Sequence, residues 1–271
     1  MELSTREYRT LSKAEAQLLL TLAEMDKRLF TIDEARSIIG GKAKKVTHNL
    51  ARKKWILRIK KGLYALVPLD IGLEGAERFI VHEFIVASYL VDPYYIGFWS
   101  ALNFHGLSDQ IPRTVFVATT KPKKPIDALN IQFYFVKLSR RKFFGFEEVE
   151  INGEKVRVSD VNKTVCDCLD HPEHSGGIEE IARAIYFSHE ELDFDRIRYY
   201  ALRMGNLTIM KRLGYILERT GLLERYGRIF EGLRLPSGYT ALDTLSPRKG
   251  RYDSRWMLLV NREIDPEGWS Y

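Results

Sequence analysis

Residues 42–61 read KAKKVTHNLARKKWILRIKK, and this stretch decides how the N-terminal part of the chain folds. It contains seven lysines, two arginines and no Asp or Glu, which gives +9 over twenty residues. The whole 271-residue chain carries only +6, because the rest has 33 Lys and Arg against 36 Asp and Glu. A solvated charged face usually alternates in sign, whereas a local cluster of one sign predicts a polyanionic partner.

The apolar residues of this stretch have helical spacing. Ala43, Val46 and Leu50 recur at i, i+3 and i+7 and predict one buried stripe. The segment that follows, WILRIKKGLYALV, has the composition of a β-hairpin turning at Lys61-Gly62. A helix followed by such a hairpin predicts a recognition helix and a wing.

Two capping boxes precede the basic stretch, Ser12 with Glu15 and Thr31 with Glu34, and each predicts the start of a helix. Three helices and a wing within residues 1–70 predict a winged helix-turn-helix domain that binds duplex DNA. We expect His48, Asn49 and Arg52 to read bases, because they point away from the apolar stripe or flank it. The other predicted DNA-binding residues are Lys42, Lys44, Lys45, Thr47, Lys53, Arg58, Lys60 and Lys61.

Residues 71–271 predict a second, larger domain after a short linker. A helix is expected at 75–90, strands at 94–96, 114–118 and 131–136, and a hairpin at 146–158 turning at Asn152-Gly153. Helices at 160–170, 177–188, 195–204 and 207–220 follow, with strands at 239–242 and 256–261. The predicted class is α+β: an N-terminal winged helix-turn-helix followed by a larger domain of a small mixed sheet and a helical bundle.

Several stretches resemble the abortive-infection AbiEi family of antitoxins from type IV toxin–antitoxin systems. They are the winged helix, YYIGFWSALNFHGLSDQIPRTVFVAT (94–119), VSDVNKTVCDCLDHPEHSGGIEEIARAI (158–185) and GNLTIMKRLGYILE (205–218). The resemblance implies a repressor that binds an inverted repeat in its own promoter. It also implies that the C-terminal domain opposes a nucleotidyltransferase toxin without a stable complex. The candidate antitoxin surface comprises Asp160, Lys163, Asp167, Lys211 and Arg212.

Two groups of residues raise the question of metal chemistry. Asp193 and Asp195 have the spacing of a magnesium-binding pair, but no phosphate-binding turn lies close upstream, and helix capping is the preferred interpretation. Cys166, Cys168, His171 and His174 are zinc-type ligands, yet residues two apart on a helix diverge by about 200°. We therefore expect buried cysteines, exposed histidines, no metal, no cofactor and no catalytic residues.

The composition excludes other classes of protein. No apolar run approaches a membrane span, the N-terminus has no signal-peptide core, and the only two cysteines, Cys166 and Cys168, are two positions apart, too close to link distant segments. We therefore expect a cytoplasmic protein with no membrane partner. Two alternatives stay open: a nucleotidyltransferase-like enzyme tethered to nucleic acid by its winged helix, and a winged-helix adaptor that binds only protein.

Overall fold

A computed structural model of the protein describes residues 10–68 and 81–269. The chain divides into two compact units, Met1–His82 and Glu83–Tyr271, which we call the head and the C-terminal unit. The predicted boundary at residue 70, and the first part of the helix expected at 75–90, lie outside the described residues. The boundary at residue 70 therefore stays a prediction.

The head has the predicted order of helices followed by a hairpin. Helices α1 (Lys13–Glu24), α2 (Ile32–Ile39) and α3 (Ala43–Arg52) are followed by strands β2 (Ile56–Lys60) and β3 (Leu63–Leu66). A further short strand, β1 (Leu29–Thr31), was not predicted; it pairs antiparallel with β3 and gives a three-stranded sheet of order β1-β3-β2. The three helices pack against a small sheet, and the last hairpin of that sheet forms the wing. The head is therefore a winged helix.

Both predicted capping boxes are present. The Ser12 hydroxyl accepts from the Glu15 N–H and the Glu15 carboxylate from the Ser12 N–H, and Thr31 and Glu34 do the same at α2. The core between the helices and the sheet is apolar and includes Leu18, Leu22, Phe30, Ala35, Ala43, Val46, Leu50 and Ile56. Met25 follows α1 as its C-cap and is exposed.

The C-terminal unit is built on a six-stranded mixed sheet. Its strands are β4 (Tyr94–Ile96), β5 (Thr114–Thr119), β6 (Ile126–Ala128), β7 (Ile131–Lys137), β8 (Phe146–Ile151) and β9 (Glu154–Ser159), in the order β6-β7-β5-β4-β9-β8. The β8–β9 hairpin turns at Asn152-Gly153, as predicted, and both turn residues have positive φ, the conformation that such a two-residue turn requires.

Helices cover this sheet and form the bundle. They are α4 (Glu83–Ser88), α5 (Phe98–Phe104), α6 (Val161–Asp170), α7 (Ile178–Ser188), α8 (Phe194–Met204), α9 (Thr208–Arg219) and α10 (Leu223–Tyr226). A second small sheet combines β10 (Thr240–Ala241), β12 (Leu258–Val260) and β11 (Arg251–Asp253) in that order. Helix α6 lies at the centre, because every residue from Asn162 to Asp170 is buried. The predicted α+β class is confirmed.

Candidate nucleic-acid interface

Helix α3 separates its apolar and basic residues onto opposite faces. Ala43, Val46 and Leu50 pack into the head core. The outward side chains are exposed, with the exception of Asn49, which is half-buried. The exposed ones are Lys42, Lys44, Lys45, His48 and Arg52. Lys44, Lys45 and His48 make no ion pair with any residue that the structure describes. The outer face of α3 is therefore a basic surface without an acidic residue on the same helix.

The start of α3 is electrostatically unfavourable when the head is alone. The first turn contains no acidic residue, and no side chain caps the helix at Lys42. Lysines at a helix N-terminus lie at the positive end of the helix dipole, where anions are preferred. A phosphate placed there would neutralise Lys42, Lys44 and Lys45 at the positive end of the helix dipole. The geometry thus favours an anionic partner at this end of α3.

The wing adds further positive charge beside α3. Arg58 on β2 and Lys61 at the turn are exposed, and Lys60 is half-buried. The turn residue Gly62 has a φ of 84°, and its carbonyl accepts from the Ile32 N–H over 2.9 Å. This bond fixes the wing tip against the start of α2, so the basic wing residues are held on a rigid hairpin.

Two of the predicted DNA-binding residues have structural roles instead. Thr47 is fully buried, and its hydroxyl donates to the Ala43 carbonyl over 2.9 Å. The prediction that Thr47 contacts DNA is wrong, because its side chain is short and packs against its own helix. Lys53 is half-buried and donates to the Thr10 carbonyl over 2.8 Å and to the Glu15 carboxylate over 2.7 Å. Its ammonium therefore ties α3 to α1, and this pairing opposes the predicted phosphate contact.

The buried carboxylate of Glu15 is the acceptor that holds Lys53. Its side chain is 2% exposed and accepts from both the Ser12 N–H and the Lys53 ammonium. Burial alone would raise the pKa of Glu15, but the hydrogen bonds from Lys53 and Ser12 outweigh it and lower the pKa below its ordinary value. Glu15 is thus held ionised by the same contact that withdraws Lys53 from the basic face.

Four of the five residues of the candidate antitoxin surface are buried, and the fifth, Asp160, is half-buried. Lys163 and Asp167 are fully buried and form an ion pair within α6, and Lys211 and Arg212 are each 2% exposed. The expectation of a surface is wrong because these side chains have partners far away in sequence. The Tyr95 hydroxyl on β4 donates to Asp167 over 2.8 Å and accepts from the Lys163 ammonium over 3.0 Å.

Arg212, Lys211 and Asp160 likewise hold the fold together. Arg212 donates to the Leu169 and Asp170 carbonyls at the end of α6, and also to the Ala241 and Leu242 carbonyls. Lys211 donates to the Gly238 carbonyl. Burial lowers the pKa of both basic side chains. Asp160 is the N-cap of α6 and accepts from the Lys163 N–H over 2.9 Å and the Tyr200 hydroxyl over 2.8 Å.

The residues weighed for magnesium have structural partners. The Asp193 carboxylate caps α8 by accepting from the Arg196 N–H over 2.9 Å, as predicted. Asp195, in the first turn of α8, pairs with Arg228 over 3.2 Å.

The zinc-type ligands separate into two groups. Both cysteines are buried free thiols, as predicted, and burial raises the pKa of each. His171 and His174 are half-buried rather than exposed, because they follow the end of α6 and pack against side chains of the unit. The structure brings them together with Glu173, which sequence reasoning missed although the spacing His-Pro-Glu-His was visible.

No helix in the described part of the chain has the length and apolar character needed to span a bilayer.

The head matches a known family of regulators. Residues 17–67 match the sequence model of the family described as transcriptional regulator, AbiEi antitoxin. The match begins within α1 and ends just after the wing, so the predicted AbiEi resemblance is confirmed over the part of the chain that carries the basic face. It supports a role in DNA-binding regulation. No curated protein sequence matches the chain.

The whole fold resembles a solved structure. The crystal structure of the RV2827C protein from Mycobacterium tuberculosis superimposes with a TM-score of 0.66 and covers 92% of this chain and 92% of that chain. The two sequences are 13% identical, so the similarity shows a shared fold.

Proposed function

We propose that the protein is a repressor of its own operon and an antitoxin that counteracts a nucleotidyltransferase toxin without forming a stable complex with it. The observation that supports DNA binding most directly is the outer face of α3. Its lysines are exposed without acidic neighbours on the helix, and its N-terminus is uncapped. A DNA phosphate backbone satisfies both features at once, whereas a protein partner would need a matching acidic surface.

Recognition on this proposal divides between two groups of side chains. His48, Asn49 and Arg52 lie on the outward half of α3 and suit base edges in the major groove, with Arg preferring guanine and Asn adenine. The lysines at the start of α3 and the basic residues of the wing bind phosphates and set the register. We propose that two copies bind an inverted repeat, each placing one α3 in the major groove.

The antitoxin activity is assigned to the C-terminal unit, and no catalytic step is assigned to the chain. The family description of the head, transcriptional regulator and AbiEi antitoxin, supports the pairing of the two activities. The proposal places repression on the basic face of the head and neutralisation outside it. Variants of the basic face should therefore separate the two activities.

The experiment uses the full chain with Lys44 and Lys45 both changed to Ala. It is co-expressed with the neighbouring toxin while a reporter follows the chain's own promoter. We expect the reporter to be derepressed and cell viability to be maintained. Loss of viability at normal protein levels would mean that neutralisation depends on DNA binding, and the proposal would fail. Nucleotide turnover by the purified chain with Mg²⁺ would favour the enzyme alternative instead.

A further inference from the structure

We propose that His171, Glu173 and His174 form a binding site for one divalent transition-metal ion, with Zn²⁺ as the best-suited ion. The three residues follow the end of α6, where a 3-10 turn, Pro172–His174, reverses the chain. One ligand atom from each residue lies within 4.8 Å of the ligand atoms of the other two. The site shares no residue with the basic face of the head and does not depend on the proposed function.

The closest pair in the cluster already has the spacing of two metal ligands. His171 Nδ1 lies 3.0 Å from Glu173 Oε1. Zinc–nitrogen and zinc–oxygen bonds of about 2.0–2.2 Å place two tetrahedral ligands about 3.3 Å apart. A metal ion would replace the proton shared by this pair with little movement of either side chain. The ligand atom of His174 lies within 4.8 Å of the other two and so needs to approach by at most about 1.5 Å to complete the same geometry.

Outer polar contacts hold the first two ligands in orientations that suit a metal site. His171 Nε2 lies 3.4 Å from Asp170 Oδ2, which leaves Nδ1 facing Glu173. The Asp170 carboxylate is itself fixed by Lys142 over 2.6 Å and by Asn206 over 2.5 Å. A ligating histidine typically donates its second ring N–H to a carboxylate of this kind, and this contact sets the tautomer.

Glu173 has a matching outer partner. Its second carboxylate oxygen, Oε2, accepts from the Thr244 hydroxyl, and the Thr244 oxygen accepts from the Glu173 N–H over 3.1 Å. The carboxylate and the backbone N–H of Glu173 are thereby both bonded to the segment that follows β10. An ion bound to Glu173 would link the end of α6 to that segment.

His174 is held in place without using its ring nitrogens. Its imidazole packs against Phe98, Phe116 and Tyr134 at centroid distances of 5.5, 5.6 and 5.1 Å. Neither ring nitrogen has a hydrogen-bond partner among the residues that the structure describes. A half-buried imidazole that is fixed by aromatic packing and keeps a lone pair available is well suited to bind a metal.

The ligand set selects the type of ion. Two imidazole nitrogens and one carboxylate oxygen suit Zn²⁺ and related transition metals, whereas Mg²⁺ and Ca²⁺ prefer all-oxygen sites. Three protein ligands leave at least one coordination position for water. The sequence grouped His171 and His174 with two cysteines as zinc-type ligands. In the structure the third ligand of this site is Glu173 and not a cysteine.

The test is metal binding by the full-length, untagged protein after treatment with a chelator. Calorimetry with Zn²⁺ and visible spectroscopy with Co²⁺ should each show one saturable site. The bound Co²⁺ should give a tetrahedral spectrum, and millimolar Mg²⁺ should not displace it. His174→Gln should weaken Zn²⁺ binding at least 100-fold, and Thr244→Val should weaken it 10–100-fold through the outer contact. His48→Gln removes a histidine outside the cluster and should leave the stoichiometry and affinity unchanged.

Circular dichroism establishes that each variant is folded, and Glu173→Gln replaces His174→Gln if the latter fails to fold. The proposal is overturned if the folded wild-type protein shows no saturable site. It is also overturned if the folded His174→Gln or Glu173→Gln variant binds Zn²⁺ as tightly as the wild type.

Discussion

Removing two lysines from the start of α3 should change the salt dependence of DNA binding by a calculable amount. Lys44 and Lys45 are exposed at the uncapped helix start, and Lys53 is excluded from the count because it is bonded to Glu15. If about four cations of each head reach phosphates, log affinity falls with log salt at a slope of about −3.6. Between 50 and 200 mM salt this is about a 150-fold loss of affinity.

The double variant Lys44→Ala/Lys45→Ala should halve that slope. A slope of about −1.8 gives only about a 12-fold loss over the same salt range, and about 60-fold weaker binding at 0.1 M salt if the two lines meet near 1 M. Fluorescence anisotropy with a promoter duplex at five salt concentrations measures both quantities. The matched control is Lys121→Ala/Lys124→Ala, which removes two exposed lysines from the C-terminal unit. An unchanged slope in the first variant, or an equal change in the control, would refute the assignment of DNA binding to α3.

Three further predictions concern single contacts. Arg52→Ala should cost about 1–3 kcal/mol of binding free energy on the operator and much less on random duplex, measured by the same anisotropy assay; equal losses would place Arg52 on a phosphate. Lys163→Met should destabilise the C-terminal unit by about 3–5 kcal/mol in urea unfolding, because Asp167 would stay buried without its cation, and adding Asp167→Asn should recover part of the loss. Glu15→Gln should destabilise the head by about 1–2 kcal/mol at pH 7. Since the pKa of Glu15 is lowered on folding, its contribution is complete above the ordinary value of 4.5 and is lost as pH falls through the folded-state pKa. The difference from wild type in hydrogen-exchange protection of head peptides should therefore shrink toward pH 3.5, and a constant difference would contradict the assignment.

The architecture of the head could be predicted because its signals are local. A capping box involves residues three apart, and the apolar stripe of α3 repeats within ten residues. The exceptions depend on distant or very short contacts. Lys53 is separated from Glu15 by 38 residues, and the buried hydroxyl of Thr47 reflects a bond to a carbonyl one turn earlier. Strand β1 has three residues and pairs with a strand more than thirty residues away, so it leaves no period-two pattern in the sequence.

The sites in the C-terminal unit were harder to predict because polar residues there are buried in pairs. The sequence of α6 has polar residues at spacings that would also suit an exposed face with internal ion pairs. What buries it is the sheet on one side, where Tyr95 is 72 residues from Asp167, and Arg212 on another. No pattern within α6 reports these partners. The His171–Glu173–His174 cluster is local and its spacing was visible, but the contacts around it, from Asn206 to Asp170 and from Thr244 to Glu173, come from distant residues.

Burial of these charges changes how mutations in the C-terminal unit must be interpreted. Substituting Lys163, Asp167 or Arg212 leaves a charge or several carbonyls buried without a partner, and this costs stability before any contact with another molecule is affected. A neutralisation screen would detect such variants because the unfolded protein is degraded. Variants that act through a contact should instead lose neutralisation at unchanged protein level and unchanged urea midpoint. On the proposed function, that comparison would separate residues that act in neutralisation from those that hold α6 in place, and it would direct the search to exposed positions of the unit.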